Sequence, residues 1–175
     1  KRGIEPESQL LRIGMLTTLS RNFIDRLLMP LLRERQVRFS LHADSLDLLL
    51  EGLTRHQLDV ALTNADVRGG DDRIWQSQLL ARQPVSIVGP PQDAPRGPFP
   101  EGYEHARWVL QTRDHEIRRA FEGFCAGWGF VPDSQAEAND LAMMRLLARD
   151  SGALAVLPVV VVRDEIRQRL LMEYM

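Results

Sequence analysis

The sequence predicts an α/β protein built from parallel sheets with helical crossovers. Strand-like and helix-like periods alternate along both halves of the chain, the pattern of strand–helix–strand units. A proline-rich stretch separates the halves. The composition, 44% hydrophobic and 26% charged over 175 residues, is that of an ordinary globular protein with room for one domain or two small lobes.

The elements follow in order. Leu10 to Leu16 is a short apolar run, suited to a buried strand. Ser20 offers an N-cap to a helix whose apolar residues are Phe23, Ile24, Leu27, Leu28, Leu31 and Leu32, with Pro30 expected to kink or restart it. Val37, Phe39 and Leu41 alternate with polar residues as a second strand. Asp44 and Ser45 can cap a helix striped by Leu46, Leu49, Leu50 and Leu53, and Leu58 to Leu62 is a third strand. A polar turn from Asp66 to Arg73 leads to two β-like runs, Trp75 to Leu80 and Val85 to Val88. Pro90, Pro91, Pro95, Pro98 and Pro100 then exclude both helix and central strand from 89 to 102, marking a surface loop near a change of lobe.

Beyond that loop the alternation resumes. Trp108 to Leu110 is a strand. Thr112 or Asp114 caps a helix with Ile117, Phe121, Phe124 and Trp128 inward, and Gly129 is placed to end it in the left-handed conformation. A strand from Ser134 to Ala138 precedes a helix from Asp140 to Arg149, and Leu154 to Leu157 and Val159 to Val162 are β-rich around Pro158.

Charge and chemistry exclude several functions. The 22 basic and 24 acidic residues are dispersed and leave a net charge of -2, unlike a module that grips nucleic acid by itself. One cysteine, Cys125, permits no intrachain disulfide and no four-cysteine zinc site, and its place beside Phe121 and Phe124 marks it as core. His42, His56, His105 and His115 lack metal-ligand spacing, so neither metal nor other cofactor is expected. No apolar run reaches the roughly 20 residues of a membrane span. The opening Lys1-Arg2-Gly3-Ile4-Glu5-Pro6 is a linker rather than a signal peptide. Nucleophile elbow, P-loop and dinucleotide fingerprint are all missing, the Asp71-Asp72 pair falls in a turn, and no acid, base and nucleophile set is present. An enzyme is not expected.

Helix 23–32 is too apolar for one buried face. Either it lies in a thick core or its stripe of Phe23, Leu27, Leu28 and Leu31 meets a second subunit, and the dimer is the preferred reading.

The segment Leu46-Asp47-Leu48-Leu49-Leu50-Glu51-Gly52-Leu53, followed by Leu58-Asp59-Val60-Ala61-Leu62, resembles the effector-binding domain of LysR-type transcriptional regulators. Leu11-Arg12-Ile13-Gly14 is similar to that domain's first strand, Arg118 to Phe124 with Pro132 to its second-lobe helix, and Gly152-Ala153-Leu154-Ala155-Val156-Leu157-Pro158 to the run before the chain returns to the first lobe. The resemblance spans residues 10 to 172. Within the family, Phe99-Pro100, Leu110, Ile117-Arg118-Arg119-Ala120 and Val131-Pro132 look closest to regulators of sodium–proton antiporter operons.

The resemblance implies two Rossmann-like lobes of the type 2 periplasmic-binding-protein kind with a ligand cleft between them. Residues 1–9 would be linker, 10–83 the first lobe, completed by 163–175 and cut short, and 84–162 the second lobe. It implies a small-molecule or ion effector that shifts the balance between arrangements, and DNA contact only through an N-terminal winged helix-turn-helix absent from this sequence. A cytoplasmic homodimer, tetrameric at full length, with no membrane partner, follows from the same likeness. A periplasmic-type solute-binding protein is the alternative.

In open parallel sheets ligands bind outside the carboxyl ends of the strands, where helix N-termini present free amides and partial positive charge. The corner residues there are Thr17, Thr18, Ser45, Asn64, Thr112, Arg113 and Asn139, the expected effector contacts. Ser45 and Thr112 serve equally well as plain caps. Position 65 is Ala where the family more often has a polar residue. Asp44, Asp114 and Asp140 beside the corners oppose an anion, whereas Arg113, His42 and His115 offset them. A cation, a neutral molecule and an anion held by Arg113 all stay open.

Overall fold

A computed structural model describes residues 10–67, 75–92 and 94–175. The expected linker at 1–9, the polar turn beyond Val67 and the Asp71–Asp72 pair lie outside them. The chain divides into two compact units: one holds residues up to Leu19 and Phe23–Ala81, the other Ser20–Asn22 and Arg82–Met175. Residues 163–175, expected in the first lobe, group with the second unit.

In the first unit, strands β1 (Leu10–Leu16), β2 (Arg38–Asp44) and β3 (Val60–Leu62) form a parallel sheet in the order β2-β1-β3. The crossovers are helices α1 (Arg21–Arg33) and α2 (Leu46–Thr54). Period-two alternation sends Ile13 and Met15 to one face, where they pack with Ile24 and Leu28 of α1 and with Leu62. On the other face, Gly14 permits the close approach of α2. A Cβ there would stand 2.6 Å from side-chain carbons of both Leu49 and Leu58. The edge strand β3 is tied to β1 by Asp59. Its carboxylate accepts from the Arg12 backbone amide (2.7 Å), Nε (3.0 Å) and Nη2 (2.8 Å), while the Asp59 amide donates to the Arg12 carbonyl (2.8 Å). Pro30 lies inside α1, yet the helix continues through it to Arg33 without a restart.

The second unit holds a five-stranded sheet in the order β6-β5-β7-β4-β8: β4 Val85–Gly89, β5 Arg107–Gln111, β6 Asp133–Ala138, β7 Leu154–Pro158 and β8 Met172–Glu173. Strands β5, β6 and β7 are parallel, and β4 runs antiparallel to both β7 and β8. Helix α3 (Glu116–Gly127) links β5 to β6, α4 (Leu141–Asp150) links β6 to β7, and α5 (Arg163–Arg167) precedes β8. Two apolar layers cover the sheet. One gathers Trp108, Leu110, Leu154 and Val156 with Phe121 and Cys125 of α3. The other gathers Val109, Ala155 and Leu157 with Met144 and Ala148 of α4. Asn22 Nδ2 donates to the carbonyls of Val160 (2.9 Å) and Val161 (3.2 Å), and so Ser20 and the first two residues of α1 group with this unit.

Four expectations are corrected. Among the described residues, Trp75 to Leu80 is an irregular run rather than a strand. Val159–Val162 forms a 3₁₀ turn, Pro158 having ended β7. Phe124 and Trp128 are 39% and 57% exposed, since Phe121 and Cys125 take the inward positions of α3. Leu28, assigned to a subunit interface, is 5% exposed and belongs to the first unit's own core. Gly129, at φ 65°, does close α3 in the left-handed region.

Candidate functional site

Parallel strands deliver their carboxyl ends to one edge, so each unit gathers its strand-to-helix corners. In the first unit, Leu16 lies opposite Asp44 and Met15 opposite Leu62. Thr17 and Thr18 after β1, Ser45 after β2 and Asn64 after β3 therefore share an edge. Thr17, Ser45 and Asn64 are exposed and Thr18 half-buried. Ser45 stands at the N-cap of α2 without a side-chain capping bond; Asp44 Oδ1 instead accepts from the Ser45 amide (2.9 Å). The plain-cap reading of Ser45 does not hold. Thr63, which sequence reasoning passed over, folds its hydroxyl back onto the next-but-one residue, accepting from the Ala65 amide at 2.7 Å.

In the second unit, Gln111 lies opposite Ala138, and the Thr112 amide donates to the Ala138 carbonyl (3.2 Å). Thr112, Arg113 and Asn139 are thereby brought to one edge, Thr112 half-buried and the other two exposed. The caps differ from expectation at α3. His115 Nδ1 accepts from the Ile117 amide (3.2 Å), displacing Thr112 and Asp114 from that role. Burial lowers the His115 pKa, favouring the neutral ring that accepts this bond. The Asp114 carboxyl is held below its usual range, first by the nearby Thr112 side chain and then by the Asp114 backbone amide. At α4, Asp140 Oδ1 accepts from the Ala142 amide (2.8 Å), the cap that its sequence position predicts.

Sequence reasoning missed the residue beneath this edge. Gln111 is 1% exposed, and its Nε2 donates to the Val156 carbonyl of β7 (2.6 Å). Its main-chain carbonyl accepts from Nη1 of Arg118, itself 4% exposed and paired with Glu122 (2.7 Å) and Glu137 (2.9 Å). A glutamine at a strand end carries no sequence signal; its partner lies 45 residues away.

These edges present hydroxyls, amides and one guanidinium without a nucleophile–base pair. Among the described residues, no three His, Cys, Asp or Glu side chains are grouped to hold a metal. The chemistry on offer is recognition. A hollow of about 440 Å³ in the second unit, lined by Pro91, Ile166, Arg169, Leu171 and Met172, lies beyond the carboxyl end of antiparallel β4, away from the corner residues.

The LysR substrate-binding domain model matches residues 5–173. The chain belongs to that family. It is an effector-binding domain of the LysR type, with the type 2 periplasmic-binding-protein-like fold, and the family is a regulatory one rather than an enzyme family. Solved LysR-type structures share the fold at low identity. The bromide-bound regulatory domain of HypT from Salmonella typhimurium matches at 12% identity and a TM-score of 0.69, over 99% of this chain and 82% of that one. The CcmR regulatory domain from Synechocystis PCC6803, solved with 2-PG, matches at 14% and 0.66, over 94% and 79%. DarR from Vibrio fischeri, solved with DNA, matches at 16% and 0.74, over 95% of this chain and 56% of that one. No curated protein matches this LysR-type domain by sequence. Among the described residues, no helix is long and apolar enough to cross a membrane.

Proposed function

We propose that this domain senses a small-molecule or ion effector at the carboxyl edges of its parallel strands and relays occupancy to a DNA-binding domain. The supporting observation is the family match over residues 5–173, together with polar, uncatalytic corners at both sheet edges. An effector can shift a regulator only through different affinities for its two arrangements. Thr17, Thr18, Ser45 and Asn64 in the first unit and Thr112, Arg113 and Asn139 in the second are the proposed contacts. The free Ser45 hydroxyl favours that role over capping.

In this reading the chain is not an enzyme. It works in the cytoplasm, within a homodimer that becomes a tetramer at full length, and DNA is reached through a winged helix-turn-helix outside this sequence. DarR, solved with DNA and longer than this chain, which covers 56% of it, is consistent with that division of labour. The antiporter-regulator branch remains our finer assignment, on Phe99-Pro100, Leu110, Ile117-Arg118-Arg119-Ala120 and Val131-Pro132.

A thermal-shift series against a metabolite and salt panel, with sodium at matched ionic strength, tests the sensor reading. At least one compound is expected to raise Tm, and Thr17→Val or Ser45→Ala to weaken that rise. A shift unchanged in both variants removes the first-unit residues from the site. A panel without any shift, sodium included, overturns the reading.

A further inference from the structure

We infer that Gln111 selects the effector by a hydrogen bond it must receive: the molecule bound at the second unit's strand edge carries a hydroxyl or ammonium donor. The inference rests on the sensor reading and narrows it to a chemical class.

Topology places Gln111 where ligands of open sheets bind. The chain leaves β5 through α3 toward β6 on one side. It leaves the adjacent parallel β7 toward β8 on the other. Neighbouring strands whose connections depart in opposite directions define a crevice outside their carboxyl ends. Gln111 is the last residue of β5, at that edge of the sheet. The β5–β7 pairing stops at Val109 opposite Ala155, and beyond it the Gln111 side chain, rather than backbone, meets the Val156 carbonyl.

The amide has one orientation. A carbonyl can only accept, so Nε2 must face Val156 and Oε1 must point elsewhere. The main-chain carbonyl of the same residue is engaged by buried Arg118, which Glu122 and Glu137 hold in place. The side chain is thus fixed before any ligand arrives. Its Oε1 is buried and has no partner. Buried polar atoms are almost always satisfied, and an orphan acceptor of this kind is stabilised by whatever donor reaches it. A site built to hydrogen-bond a ligand group discriminates strongly against the analogue that lacks it, because the analogue leaves that atom unpaired. Carboxylate recognition alone would leave Oε1 facing another acceptor.

The test uses the 175-residue chain, isotope-labelled, titrated by NMR with glycolate, glycine and acetate, which share a carboxylate and differ in the adjacent donor. Glycolate or glycine is expected to shift the Gln111 side-chain amide and the backbone amides of residues 111–115 at roughly ten- to a hundredfold lower concentration than acetate. Gln111→Met is expected to abolish that preference. If the variant misfolds, a crystal soaked in glycolate decides instead, with a hydroxyl or ammonium within hydrogen-bond distance of Oε1 as the supporting result. Equal response to the three probes overturns the inference, as does an ordered water that keeps Oε1 while glycolate is bound. Silence at this edge, while the wider panel still gives a shift sensitive to Thr17→Val, overturns the donor inference and leaves the sensor reading standing. Silence in both experiments removes both.

Discussion

At the scale of single residues, the motifs that carry the family likeness have structural causes. Asp59, in the Leu58–Leu62 segment, has its carboxylate engaged within the fold. It braces edge strand β3 against β1 through three hydrogen bonds to Arg12, and that geometry holds its pKa down to about 2. Charge-assisted bonds to a guanidinium and a backbone amide favour the ionised form. The folded-state pKa is depressed, so the contribution to stability is complete above the unfolded value near 4 and is lost as pH falls through about 2. Asp59→Asn is therefore expected to melt below the wild-type chain at pH 7, with the gap narrowing below pH 4 and closing near pH 2. Melting curves over that range check it; a gap independent of pH contradicts the account. Gly14 is a second such case, required by the closeness of Leu49 and Leu58.

At the scale of elements, apolar periodicity was a good guide wherever a strand or helix buries one clear face. Ile13 and Met15 in β1, Val109 and Ala155 in β5 and β7, and Met144 in α4 are where alternation and helical spacing place them. It misled where long-range pairing decides. Four consecutive valines after Pro158 suit a strand locally, but β7 has already ended and the run turns as 3₁₀ instead. Trp75 to Leu80 has β character in the sequence yet forms no regular element. Helix α1 shows the opposite error, because packing of Ile24 and Leu28 outweighs the proline within it. Pro30 still removes one backbone donor and crowds the carbonyl four residues earlier, and its side chain is exposed. Pro30→Ala should then stabilise the chain by about 1–3 kcal/mol, less about 0.4–1 for the freer unfolded state, a rise in Tm of a few degrees. A lower Tm would mean that the proline shapes a contact α1 makes elsewhere, for which exposed Met29 and Leu32 are the available surface.

At the scale of the molecule, the strand-to-helix corners were legible because polar residues follow apolar runs, whereas Gln111 was not, because its significance depends on a carbonyl from another strand. The division into two units has a thermodynamic consequence of its own. The first unit's core, among the described residues, contains six buried apolar side chains on a three-stranded sheet, five of them in one cluster; the second has clusters of eleven and nine on five strands. Stability scales with buried apolar area, and a small sheet with little covered surface sits near the margin. The first unit is therefore expected to open at lower temperature, in a separate calorimetric transition, with its amides exchanging faster than those of β5 and β7. Ile24→Ala, at a side chain 3% exposed, removes about 2–5 kcal/mol from the first unit and should move only the lower transition. Met144→Ala, at a side chain fully buried between α4 and the second sheet, should move only the upper one. One transition displaced equally by both substitutions would show that the two cores unfold as a single cooperative body. In that case a ligand bound at either sheet edge would stabilise the whole chain, whereas with separate transitions it would raise first the unit that holds it.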